Sequence, residues 1–330
     1  MARGANRAGE FELIARYFAP LASKAPLAFG LKDDAAALRP STGSELVLTT
    51  DTIVSGVHFL ANDPPKTIGR KLLRVNLSDL AAKGAKPRAY LINCSFPRDI
   101  SEEWIAAFAE GLAADQDVFG IVLIGGDTTA TPGPLTLSAT AIGELPRGSM
   151  LRRKGARVGD GIWVTGNIGD AGLGLRVLKG EDLSLSDAFA APCVAHYRVP
   201  SPRSGVGPKL RGLARACLDV SDGLVADLGH MCAASNVGAE IHGDGVPLSA
   251  AARRALAAGK VELGELLTAG DDYELIFAVA ARDEPKLARV AKSAGVKITR
   301  IGQATRSKGV VVRDAQGNPL TLVRDGYRHF

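Results

Sequence analysis

Carboxylates stand along this sequence in places that usually reject them. Asp51 interrupts the β-branched run LVLTTDTIV, although aspartate is depleted in strands. Asp79 shares a helical face with Ile68, Leu72 and Val75, because steps of four, three and four residues return to nearly the same angle. An ionised carboxylate on such an apolar stripe needs a cation or good hydrogen-bond donors. Asp219 ends an apparent strand in CLDVSDGL, and Asp222 follows at the turn into a helix. Asp33 and Asp34 are paired in a loop. In LIGGDTT, residues 123–129, a buried-looking strand stops at Gly125 and Gly126 and Asp127 follows. That junction reads either as a turn capped by Asp127 or as bare backbone and a carboxylate facing a ligand. Bland readings exist for the others too. Ser221 and Asp222 suit a helix cap and first turn, Asp33–Asp34 a solvated turn, and Asp51 a pair with an arginine. As a set, oxygen donors without His or Cys suit Mg²⁺ better than zinc. Magnesium beside glycine-rich turns suggests nucleotide phosphates.

Several classes are disfavoured. No G-x-x-x-x-G-K-[ST] occurs, and neither does an H-R-D or D-F-G set, so P-loop and protein-kinase chemistry are not expected. His58 lies in SGVHF, with no G-x-S-x-G elbow to suggest a hydrolase triad. GNIGDAGLGL resembles a glycine-rich phosphate loop, but such turns are common. The net charge is +5 and the calculated pI about 9.0, which suits a small anion as well as a nucleic acid. Aromatics at 5% leave few stacking platforms, so nucleic acid is not expected. Four scattered cysteines without a C-x-x-C pair fit a reducing cytoplasm rather than a thiolate metal site or disulfide framework. There is no apolar run long enough for a membrane span, and the first residues do not read as a secretory signal.

The 330 residues, 46% hydrophobic and 23% charged, allow one large globular domain or two. Residues 10–22 read as an amphipathic helix with Phe11, Ile14, Ala15 and Phe18 on one face. Strands are expected over 45–54, 88–96, IVLIGG and PLTLSATAIGEL, and helices over 67–83, ended by Gly84, and 101–118, opened by a Ser cap. A segment rich in Pro, Gly and charge, 146–161, places a domain boundary, giving 1–148 and 149–330. The second half repeats the mixture. GIWVTG is a strand and GNIGDAGLGLRVLKG turns into a helix. After an irregular acidic stretch and the loop YRVPSPRSGVG, strands are expected in EIHGDGVPLS, DDYELIFAVA, VKITRIGQ and GVVVRD. Both halves are therefore of α/β or α+β class.

GEFELIARYF, DDAA, TTDTIVSGVHF, NLSDLAAKGAKP, IGGDTT, LDVSDGL, GDDYELIF and DGYRHF occur in this order. Together they resemble the bacterial thiamine-monophosphate kinases, of the aminoimidazole ribonucleotide synthetase-like superfamily, over essentially the whole chain. The resemblance implies a two-domain fold, with the N-terminal sheet pairing with its twin in a homodimer barrel. It implies ATP and several Mg²⁺ ions in a cleft between the domains, and transfer of the γ-phosphate to thiamine phosphate. By that likeness Asp34, Thr49, Thr50, Asp51, Asp79, Asp127, Asp219 and Asp222 are metal ligands. Gly126, Asp127, Arg153 and Ser221 are ATP contacts, and His58, Asp271 and Tyr327 contact the substrate. Two departures stand out. Lys32 precedes the aspartate pair where the family usually has glycine, and Asp271 stands where it usually has glutamate.

In phosphoryl transfer, positioning and cations do most of the work, and a phosphate nucleophile is already anionic. Direct in-line transfer without a phosphoenzyme is therefore expected, with no protein nucleophile. The rival expectations are another ATP-using enzyme of the superfamily, or a non-catalytic nucleotide-binding scaffold on the same fold.

Overall fold

The computed structural model describes residues 8–322 and 326–327. Residues 1–7, 323–325 and 328–330 lie outside it, and with them most of DGYRHF. The chain divides into two compact units, one of residues 1–80 with 85–148, the other of 81–84 with 149–330.

The first unit is built on four strands: β1 (Ser44–Val54), β2 (Lys86–Pro97), β3 (Val122–Thr131) and β4 (Thr136–Pro146). Their order is β1-β4-β2-β3, antiparallel except for the β2–β3 pair. Helices α1 (Pro65–Ala82) and α2 (Glu102–Phe119) supply the apolar layer. Ile68, Leu72, Leu73, Leu77 and Leu80 of α1 are buried with Ile105, Phe108 and Leu112 of α2 and with Val47, Tyr90, Ile92 and Leu137 of the sheet. Ser101 caps α2 by accepting the Trp104 N–H at 3.1 Å, and Gly120 closes it at φ +64. The two helices approach closely because a side chain at Gly69 or Gly111 would overlap the other helix's backbone. Asp115, wholly buried, joins them by accepting Arg74 at 2.6 and 2.9 Å and Arg70 at 3.1 Å. Such a pair orders the crossing, and it would be costly to break by removing one partner only.

Two expectations for this unit are corrected. Residues 10–22 do not form one helix but a single α turn (Glu10–Leu13), a π turn (Ile14–Phe18) and a 3₁₀ turn (Ala19–Ala22). Phe11 is 84% exposed, while Leu13 and Phe18 are buried. Their five-residue spacing matches the wider π turn, not the 3.6-residue stripe. Nor does β3 end at the glycines. It runs on through Gly125, Gly126 and Asp127 to Thr131, with a register shift that leaves Ile124 as a bulge.

Among its described residues the second unit holds six strands, β5 (Gly161–Thr165), β6 (Ala214–Asp219), β7 (Gly238–His242), β8 (Leu275–Val279), β9 (Ile298–Thr305) and β10 (Gly309–Arg313). Their order is β10-β7-β9-β5-β8-β6, and only β10–β7 is parallel. Helices α3 (Asp170–Leu178), α4 (Asp187–Arg198), α5 (Leu224–Ser235), α6 (Ala250–Ala257) and α7 (Leu287–Ala294) accompany the sheet. Helix α4 occupies the stretch expected to be irregular. Pro192 inside it conceals the pattern, yet Cys193 and Tyr197, four residues apart, are its buried contacts.

Candidate active site

In the first unit, a pocket of about 360 Å³ lies where the N-terminal turns meet β2 and β3. Ile14, Phe18 and Leu31 form an apolar side, and Asp33, Asp34, Asn93, Asp127 and Thr140 a polar one. The β3 bulge brings Asp127 opposite Asn93, so both side chains point to the same face. Asp33 turns back to accept the N–H of Asp34 at 2.8 Å, which makes it a loop-shaping residue and leaves Asp34 at the pocket. Gly126 also lines the pocket, but its glycine identity has a second cause. A Cβ there would overlap the Ile92 carbonyl, and its φ of +154 favours glycine.

Strand alternation divides the other expected ligands of this unit. Thr49 points to the helix-covered face and donates to the Asp79 carboxylate on α1. Asp51, two residues on, shares that face. Thr50 points to the opposite face, where it donates to the Ala139 carbonyl and receives Thr140 Oγ1, both at 3.1 Å. Thr49, Asp51 and Asp79 thus form one group, and Thr50, Asp34 and Asp127 stand on the pocket side. His58 follows β1 in a tight turn. Its Nδ1 accepts the Val54 N–H at 3.0 Å, which makes Nε2 the protonated nitrogen of the neutral ring. Lys71 donates to the His58 carbonyl at 2.8 Å and fixes the turn to α1.

In the second unit, two remote segments converge on the turn after β6. The Asp271 N–H donates to the Ser221 carbonyl at 2.8 Å, and the Tyr327 N–H to the Asp222 carbonyl at 2.9 Å. Asp227, on the first turns of α5, accepts the N–H groups of Ser221 and Asp222, both at 3.0 Å. Burial, reinforced by the charges of Asp219 and Asp222, pushes the Asp227 carboxyl up to about 8. Arg153 is exposed in a loop alongside β6, where its neighbour Arg152 accepts the Cys217 N–H at 2.8 Å.

The glycine-rich turn GNIGDAG proves to be internally occupied. The Gly169 and Ala171 N–H groups, which a phosphate would use, donate to the Asp272 carboxylate at 2.7 and 3.3 Å. Asp272 is fully buried, and burial holds its carboxyl well above the usual range. The turn is thus capped by the protein itself, and the phosphate-loop likeness does not survive.

Along its sequence the chain is 40% identical, over 326 residues, to a thiamine-monophosphate kinase of Caulobacter vibrioides, covering 97% of this chain and 90% of that one. The chain belongs to the thiamine-monophosphate kinase family. The AIR synthase related protein families match it in two parts, the N-terminal domain over residues 32–145 and the C-terminal domain over 157–315. The fold is that of solved family members. A crystal structure of thiamine-monophosphate kinase from Stenotrophomonas maltophilia K279a superposes with a TM-score of 0.83 at 43% identity, covering 94% of this chain and 98% of that one. A structure described as AaThiL complexed with AMPPCP and TMP gives 0.77 at 30% identity, covering 98% and 97%.

Within this family member, the donors suit a hard divalent cation. Asp33, Asp34 and Asp127 all line one pocket, with no lysine or arginine among its described lining residues. Among the described residues, no group of three or more His, Cys, Asp or Glu side chains is arranged to hold a metal. Isolated carboxylates rather than a closed cage are the usual provision for Mg²⁺, which takes its other ligands from water and substrate phosphates. Sequence reasoning missed Asp227, Asp272, Glu274 and Arg203. Asp227 had a legible signal, an acid in the first turns of a helix. Glu274 and Arg203, paired at 2.5 Å through Nε, lie too far apart in sequence to be recognised as partners.

Proposed function

We propose that the chain transfers the γ-phosphate of ATP to thiamine phosphate, giving thiamine diphosphate. The observation that carries this reading is the likeness to thiamine-monophosphate kinases over nearly the full length of both chains. AMPPCP is an ATP analogue, and TMP reads as thiamine phosphate in the related complex. Purified protein given ATP, Mg²⁺ and thiamine phosphate should form thiamine diphosphate on chromatography. Release of free phosphate without that product would reject the assignment.

On this reading a domain of residues 1–148 serves ATP and magnesium, and within residues 149–330 Arg153 and Ser221 are ATP contacts and Asp219 and Asp222 metal ligands. Asp34, Thr50 and Asp127 would hold ions on the pocket side, and Thr49, Asp51 and Asp79 on the helix side, so more than one ion is implied. Bound Mg²⁺ would neutralise charge on the phosphate oxygens. Gly126 leaves backbone open beside Asp127. His58 would donate through Nε2 to a phosphate oxygen of the substrate, an interaction that needs no charge on the ring. Edge strand β1 exposes Leu48, at 63%, together with Thr50 and Thr52. That surface supports a homodimer formed through this sheet, which sedimentation can test. Among the described residues no helix is long and apolar enough to cross a membrane. The four cysteines are unpaired and buried, and we place the enzyme in the cytoplasm.

Asp271 and Tyr327, both tied to the Ser221–Asp222 turn, would receive the thiamine moiety. Tyr327 is 43% exposed, and its ring would meet a thiazolium cation. Asp271→Ala and Tyr327→Ala should each raise the KM for thiamine phosphate about 2- to 30-fold, the range of a cation–π or comparable contact, with a smaller change for ATP. Asp271→Glu should retain activity, as glutamate is the usual family residue. It should cost stability of about 1 kcal/mol, because residue 271 sits at φ +70, a region aspartate tolerates better. Unchanged thiamine-phosphate kinetics in both alanine variants would place the substrate elsewhere.

A further inference from the structure

The segment expected to extend strand β8 backwards, Asp271 to Glu274, is not a strand. Asp271 and Tyr273 both adopt positive φ, +70 and +50. For a bulky tyrosine this is a true outlier, and it persists only where the surroundings over-determine it. They do so here. The Tyr273 N–H donates to the Val220 carbonyl at 2.7 Å, and the Val220 N–H to the Glu274 carbonyl at 2.8 Å. Glu274, 1% exposed, accepts Arg203 through both Nε and a terminal nitrogen, and Thr165 Oγ1 at 2.6 Å. Gly166 leaves the space that the Glu274 carboxylate fills. Asp272 is anchored on the α3 N-terminus, as described above.

The two inward acids therefore hold a backbone shape whose outward product is one contact. Tyr273 Oη donates to Asp271 Oδ1 at 3.2 Å. Residues two apart in a regular strand stand nearly 7 Å apart along it, too far for most side chains to meet. The left-handed turn closes that gap. We propose that Tyr273 is a positioning residue for thiamine phosphate, its hydroxyl orienting the Asp271 carboxylate toward the substrate. This rests on the reading of Asp271 as a substrate contact.

The test is the Tyr273→Phe variant of the full chain, beside Asp271→Ala and the double variant. Tyr273→Phe removes one hydroxyl and keeps the ring. It should raise the KM for thiamine phosphate about 3- to 10-fold, the worth of one ordinary hydrogen bond, with the KM for ATP and the unfolding temperature unchanged. The double variant should be no worse than Asp271→Ala alone, because the hydroxyl acts through the carboxylate. An unchanged KM in Tyr273→Phe beside a raised one in Asp271→Ala would overturn the positioning role and leave the substrate site standing. Fully additive effects would also overturn it. An unchanged KM in Asp271→Ala would overturn the substrate reading and this inference together.

Discussion

The Asp127→Asn variant is expected to lose about 100-fold or more of its ATP-dependent activity, about 3 kcal/mol of transition-state stabilisation, by analogy with other preorganised electrostatic groups. Its unfolding temperature should match that of the parent. Asp127 is exposed on β3, and its place in the sheet depends on backbone pairing with β2, which an amide leaves intact. The loss should be electrostatic. The pocket gathers Asp33, Asp34 and Asp127, with no cationic side chain among its described lining residues. Removing one of the charges weakens its hold on a divalent cation. The half-saturating Mg²⁺ concentration should therefore rise together with the fall in rate. Full activity with unchanged magnesium dependence would remove Asp127 from the ligand set.

One residue earlier, Gly126→Ala should act on the fold instead. The added methyl would overlap the Ile92 carbonyl across the β2–β3 pair, at a backbone angle that suits glycine. Overpacking and backbone strain together should cost about 3 kcal/mol or more. For a unit of this size, thermal unfolding should fall by about 6–12 °C. If the glycine were there only to admit a ligand, stability would hold and only nucleotide kinetics would change. The two neighbouring variants thus separate the halves of the GGD junction. A fall in stability would assign the glycine to strand pairing as well as to the pocket it lines, and a fall in activity would assign the carboxylate to the pocket.

Local signals were legible wherever one short segment decided the outcome. The Ser101 cap and acidic first turn marked α2, the β-branched run marked β1, and Gly84 marked the end of the helix before it. The carboxylates out of place were legible for the same reason, since a charge on an apolar stripe conflicts with its immediate neighbours. Segments with competing signals misled. Two glycines suggested a strand end, but the β2 edge beside them carried the strand on to Thr131. Pro192 hid helix α4. GNIGDAG looked open to phosphate, although a carboxylate about a hundred residues away occupies its N–H groups.

From sequence alone came the two-part α/β chemistry, the oxygen-only donor set and the family, because composition, periodicity and motif order are properties of a linear string. Tertiary structure alone decided the rest. It divided Thr49, Asp51 and Asp79 from Thr50 and Asp127, because a strand turns successive side chains to opposite faces. It joined Ser221–Asp222 to Asp271 and Tyr327 by backbone hydrogen bonds between segments tens of residues apart. It also set Asp271 and Tyr273 in a left-handed turn, which aspartate tolerates but a bulky tyrosine does not favour. The Glu274–Arg203 pair, the Asp272 anchor and the backbone bonds to Ser221 and Val220, all formed once the chain has folded, hold that turn in place.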